Sequence, residues 1–133
     1  AIFSTCPTNH PGGCLAYRFD TPTGSLVFLS DHETEGPDEP RIIEFIKDAD
    51  ILIADTQYTP TEIESRRGWG HGCFRSVVGM ADTAGVKNLY MTHHDPAHND
   101  DFIDQMLADA RGLIPATSKL NVFAATEGEQ VHF

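Results

Sequence analysis

The sequence predicts an α/β fold: a single mixed sheet with helices packed on one face. Two observations carry that expectation. Near the N-terminus, two β-rich stretches flank a Thr-Pro-Thr-Gly turn, the pattern of an antiparallel hairpin. Beyond them, short apolar runs alternate with amphipathic segments of helical period, the pattern of strands joined by crossover helices. The chain has 133 residues, 40% of them hydrophobic and 22% charged, which suits one domain with its own core.

The elements follow in order. Cys14–Asp20 (CLAYRFD) alternates and is rich in β-formers; Thr21–Gly24 turns the chain, and Ser25–Ser30 (SLVFLS) returns as the second strand. Asp31–Pro40 is an acidic loop containing Gly and Pro, placed directly after a buried strand. Pro40 opens a short helix over Arg41–Lys47, with Ile42, Ile43, Phe45 and Ile46 as its apolar face. Asp50–Asp55 (DILIAD) is nearly continuously apolar, as expected of a strand covered on both faces. Thr59–Arg67 forms one or two helical turns behind Pro60, and Gly68–Gly72 leads into a helix over Phe74–Ala84 that Gly85 caps. Asn88–Thr92 is a further buried strand. Asn99–Leu113 is an amphipathic helix with Asp100 and Asp101 in its first turn. Leu120–Ala124 and Gln130–Phe133 form a closing strand pair. Ala1–Gly13 is expected to be irregular, and the chain reads like a piece of something larger.

Several function classes are excluded early. The longest apolar runs are far too short to cross a bilayer, and no basic start precedes an apolar stretch. Nine Lys and Arg against 20 Asp and Glu give a net charge of −11, which argues against a nucleic-acid or anionic-membrane partner and suits a cation. Cys6, Cys14 and Cys73 are odd in number and lack paired spacing, which points to a reducing compartment such as the cytoplasm.

Three groups of suitable chemistry stand at the C-terminal ends of apolar strands. Asp31 follows LVFLS, Asp55 follows ILIA, and His93 follows LYMT. A rigid sheet holds such side chains while they face a crevice lined by loops. Carboxylates and imidazoles together suit Zn²⁺, Mn²⁺ or Fe. His71, flanked by glycines in Trp69-Gly70-His71-Gly72, is exposed at a helix start; His10, in Asn-His-Pro-Gly-Gly, is expected to belong to a turn. Arg66 and Arg67 either meet an anionic substrate or dock on Glu62 and Glu64. No nucleophile elbow and no phosphate-binding glycine loop is present.

Four runs, NHPGGCLAYRFDTPTGSLVFLSDHE, DADILIADTQYT, GHGCFRSVVGMADTAGVKNLYMTHHDP and ATEGEQVHF, carry a resemblance. They resemble the C-terminal half of the metallo-β-lactamase-fold hydrolases, and are most similar to the branch of ribonuclease Z and related phosphodiesterases. The resemblance implies half of an αββα sandwich, with one face of the sheet left for the other half of the fold. It implies two divalent metal ions in the complete enzyme, with Asp31 in FLSD bridging them and His93 in YMTH binding one. It also implies that Asp55 and His71 assist phosphodiester cleavage, although the family has Glu where Asp55 stands and Ser where Gly72 follows His71. The family's His-x-His-x-Asp-His motif, which lies in the N-terminal half of the fold, does not occur here. The expected function is therefore a binuclear metal-dependent hydrolase of small phosphodiesters, inactive alone, that pairs with its missing half or self-associates through the open sheet. The alternative is a non-catalytic metal-binding or sensor module whose His32, His93, His94 and His98 form a site shared between copies.

Overall fold

Six strands lie side by side in chain order, so every connection joins nearest neighbours and none crosses another. The structure, a computed structural model, describes residues 1–133. Strands β1 (Ile2–Pro7), β2 (Leu15–Thr21) and β3 (Gly24–Leu29) form an antiparallel meander. From β3 onward the pairing is parallel through β4 (Ile51–Asp55), β5 (Asn88–Thr92) and β6 (Asn121–Ala124). Each parallel connection carries one helix: α1 (Glu39–Ile46), α2 (Phe74–Thr83) and α3 (Asp100–Gly112). Crossovers of one hand that progress in one direction put all three helices on the same face.

That face is the core. Val27, Leu29, Leu52, Ala54, Leu89, Met91 and Val122 of the sheet meet Ile42, Ile46, Val77, Val78, Ala81, Met106 and Ala110 of the helices in one buried cluster. Burying each large aliphatic side chain among them contributes about 1.5–3 kcal/mol. The helix ends obey local chemistry. The Asn99 side chain accepts from the Phe102 N–H at 2.8 Å, capping α3. After α2, Gly85 takes φ +75°, and Val86 N–H returns to the Ala81 carbonyl, as in a glycine-stopped helix. Pro40 falls within the first turn of α1, so that helix begins two residues before the position the sequence suggested.

The opposite face is largely open. Phe3, Leu15, Tyr17, Phe19 and Phe28 are exposed there. Phe3 packs against Tyr17 and Phe19 with ring centroids 5.7 and 4.7 Å away. Two sequence expectations are corrected on this side of the molecule. Ala1–Gly13 is not irregular throughout, because Ile2–Pro7 pairs along β2 from Ile2↔Asp20 to Pro7↔Leu15 as an edge strand. Gln130–Phe133 is not a strand. The chain after β6 instead returns across the open face, where Val131 joins Leu26, Ile51, Ile53 and Tyr90 around a cleft of about 140 Å³. The Phe133 ring lies against Gly24, where a Cβ would come within 2.9 Å of it. Exposed apolar strand residues attract the tail's own apolar side chains in place of a β partner.

Asp50 ties the first parallel junction. Its carboxylate accepts from Ser25 N–H at 2.8 Å, from the Ser25 hydroxyl at 3.2 Å, and from the Lys87 ammonium. The Lys87 hydrogen bond, then that from Ser25 N–H, holds the Asp50 carboxyl below the usual range. A depressed folded pKa stabilises the fold above the unfolded value, and the effect is lost as pH falls through the folded one. Asp50→Asn is therefore expected to lower stability at pH 7 by about 1 kcal/mol, with the gap to wild type closing below about pH 4. Urea unfolding at the two pH values measures this; an unchanged gap in acid would remove Asp50 from the account.

Candidate metal and acid–base site

Because β3, β4 and β5 run parallel, their C-terminal ends reach the same edge of the sheet. Asp31 lies two residues beyond β3, Asp55 is the last residue of β4, and His93 directly follows β5. His71 arrives from the far side of the β4–α2 connection. A small bridge brings it there: Tyr58 N–H donates to Gly72 O at 3.0 Å, and Phe74 N–H donates to Tyr58 O at 3.1 Å. Gly72 is required at this point, because any Cβ would fall 2.1 Å from the Asp55 carbonyl oxygen. His93 takes φ +58°, a left-handed conformation uncommon outside glycine and concentrated at functional sites.

The structure thus brings together all four residues singled out in the sequence. One potential ligand atom from each of Asp31, Asp55, His71 and His93 lies within 4.8 Å of the others. Asp55 is fully buried, and both its oxygens are occupied. Oδ1 accepts from Gln57 N–H at 3.2 Å and Gly72 N–H at 3.3 Å. Oδ2 faces His71 Nδ1 at 2.7 Å and His93 Nδ1 at 3.2 Å. A carboxylate only accepts, so each imidazole donates through Nδ1 and turns Nε2, with its lone pair, away from Asp55. Asp31 is a third exposed; its Oδ1 takes the Ser30 hydroxyl at 3.1 Å and stands 3.4 Å from His93 Nδ1.

A fifth group joins them. His10, expected in a turn, places Nε2 3.8 Å from Asp31 Oδ2 and sets its ring edge-on to His71, centroids 5.3 Å apart. Its loop is clamped to the segment after β3. Thr8 Oγ1 donates to Asp31 O at 2.6 Å, Asn9 N–H to His32 Nδ1 at 3.0 Å, and Glu33 N–H to Asn9 O at 2.9 Å. The tight turn through Pro11, Gly12 and Gly13 was the only sequence sign of this loop.

The other histidines do not converge. His32 is buried and accepts from Asn9. His94 Nε2 lies 3.4 Å from Ala125 O. His98 pairs with Glu62 at 2.8 Å and stacks on Phe102. Burial pushes the Glu62 carboxyl up, but hydrogen bonds from Thr59 N–H and His98 outweigh it and leave it below the usual range. The shared site of His32, His93, His94 and His98 considered from sequence is therefore not assembled within the chain.

No family model matches the chain. In sequence it is 34% identical over 100 residues to the ribonuclease Z of Brevibacillus brevis, covering 72% of this chain and 30% of that protein. In structure it matches the metallo-β-lactamase fold protein YhfI of Bacillus subtilis, with TM-score 0.69 and 21% identity over 91% of this chain and 46% of that one. A diphosphatase of the PhnP family matches with TM-score 0.64 and 23% identity, over 98% of this chain and 43% of that one. The chain has the metallo-β-lactamase fold. Within that fold its sequence is ribonuclease Z-like, and it spans less than half the length of each of these relatives.

Proposed function

We propose that the chain carries one side of the active site of a divalent-metal-dependent phosphodiester hydrolase, with the remaining metal ligands supplied by another part of the fold. The convergence of Asp31, Asp55, His71 and His93 at one sheet edge carries this reading. The donor set fits: carboxylate and imidazole suit Zn²⁺, Mn²⁺ or Fe, and both imidazoles are already oriented by a buried carboxylate. Asp31, His93 and His10 would hold metal in the complete site. Metal bound there supplies Lewis-acid polarisation of a phosphoryl oxygen.

The chain's own residues do the rest. Asp55 fixes the rings of His71 and His93 and stays out of proton transfer itself, because its oxygens are filled by four donors. His71, largely buried, keeps a fixed Nε2 that takes or returns a proton at the phosphodiester. One carboxylate and two imidazoles are too few for two well-held ions. The open sheet face and the short span of the relatives covered support a second layer: the other half of the sandwich or a second copy. Alone, the chain is expected to hydrolyse little. No helix is long and apolar enough to cross a membrane, and three free thiols support a reducing, cytoplasmic setting.

Titration calorimetry with Mn²⁺ and Zn²⁺ tests this. Wild type should bind, and His93→Ala should bind at least about tenfold more weakly. Failure of wild type to bind either ion, or equal binding by the variant, would reject the site.

A further inference from the structure

The acidic loop after β3 sends its carboxylates to different places. Glu35 meets Arg67 at 3.5 Å and the Ser76 hydroxyl at 2.9 Å, Asp38 meets Arg41 at 3.3 Å, and Glu39 accepts from Glu35 N–H at 3.1 Å. Glu33 pairs with no cation. Its Oε1 accepts instead from two backbone donors of the β4–α2 connection, Gly68 N–H at 2.8 Å and Gly70 N–H at 3.2 Å. Gly70, gripped through its N–H, offers its carbonyl to His10 Nδ1 at 3.0 Å. A carbonyl only accepts, so His10 donates through Nδ1 and keeps its lone pair on Nε2, the atom 3.8 Å from Asp31 Oδ2.

This close approach needs glycine. Gly70 takes φ +92°, and a Cβ there would lie 2.1 Å from His10 Nδ1. Glu33 also holds the backbone before His10: its N–H donates to Asn9 O at 2.9 Å, and its carbonyl accepts from Asn9 Nδ2 at 3.1 Å. Between the two loops lies a cleft of about 230 Å³ lined by Asn9, His10, Pro11, Glu33, Gly68 and Gly70. With that space open, hydrogen bonds rather than packing set where the Gly70 carbonyl stands. We propose that Glu33 is a positioning residue of the candidate metal site: by holding Gly70, it fixes the tautomer and direction of His10 and leaves Nε2 free beside Asp31. Two carboxylates thus orient three imidazoles, Asp55 by direct contact with His71 and His93 and Glu33 through a glycine. This rests on the reading of His10 as a metal ligand and adds the residue that aims it.

Long-range proton–nitrogen correlation spectra of ¹⁵N-histidine-labelled protein read the tautomer of each neutral ring. They are recorded in EDTA at about pH 8, above the usual imidazole pKa, and a His10→Gln spectrum assigns the His10 signals. Wild-type His10 should carry its proton on Nδ1. Glu33→Ala should mix in the Nε2–H form, while Glu33→Gln, whose amide oxygen still accepts from both glycines, should keep the wild-type pattern. Zn²⁺ calorimetry should follow, about 10- to 100-fold weaker for Glu33→Ala and unchanged for Glu33→Gln. Glu35→Ala, which removes a neighbouring carboxylate of the same loop, should alter neither readout. Should Glu33→Ala fail to fold, Glu33→Asp, one methylene too short to reach both glycines, takes its place. A wild-type His10 with its proton on Nε2, or a folded Glu33→Ala chain that keeps Nδ1–H, would overturn the assignment. The Nδ1–H signature in a chain that binds neither Zn²⁺ nor Mn²⁺ would instead reject the metal reading and leave the hold of Glu33 on His10 standing.

Discussion

Asp55→Ala is expected to be among the most damaging single substitutions in the chain, lowering stability by about 3–5 kcal/mol. The residue is 1% exposed, and its removal leaves Gln57 N–H and Gly72 N–H without an acceptor in a dry environment. It also frees two imidazoles that both hydrogen-bond to this carboxylate. Asp55→Asn separates the two consequences. The amide oxygen still receives the backbone donors, so stability falls by about 1 kcal/mol or less. Its NH₂ group, however, faces His71 and His93 and demands a lone pair at each Nδ1, which moves both imidazole protons to Nε2. Metal affinity should then drop about 10- to 100-fold, and hydrolysis in the assembled enzyme about 10²- to 10⁴-fold. Chemical denaturation and calorimetry on the two variants check this; an Asn variant with wild-type affinity for metal would show that Asp55 does not orient the ligands.

The three parallel strand ends explain why so much of the site could be read from sequence. Asp31, Asp55 and His93 each follow an apolar run, and parallel pairing carries the ends of such runs to one edge whatever the intervening loops do. His71 was visible because glycines flank it, one of which the fold needs for close approach to β4. His10 was not, because its local turn, closed by Gly13 N–H on the His10 carbonyl at 3.1 Å, does not set where the loop docks. Its position depends on hydrogen bonds from Thr8 and Asn9 to residues more than twenty positions away. Strand β1 escaped notice for a similar reason: its six residues end in proline, and only the partner β2 makes them a strand. The tail failed in the opposite sense, with strand-like residues at Val131 and Phe133 that find an apolar surface before they find an edge. Local pattern served where period and burial agree, and gave out where long-range contacts decide.

Removing the aromatic cluster from the open sheet face is expected to convert an associating chain into a monomer. Phe3, Tyr17, Phe19 and Phe28 point to the side away from the helices, in register across β1, β2 and β3. Their neighbours Leu26, Ile51 and Ile53 are covered in part by Val131, so the tail shields the β4 end of the face and leaves the β1–β3 end bare. A contiguous apolar patch of this kind marks a surface for another to cover. Each large side chain buried by association contributes about 1.5–3 kcal/mol before the cost of ordering. Phe3→Ser, Phe19→Thr and Phe28→Thr combined should therefore raise the self-dissociation constant by about 100-fold or more. The helix-side core is untouched by these changes, so the far-ultraviolet circular dichroism spectrum should remain that of wild type. Light scattering over a concentration series decides the matter. A wild-type chain that stays monomeric at high concentration would overturn association through this face.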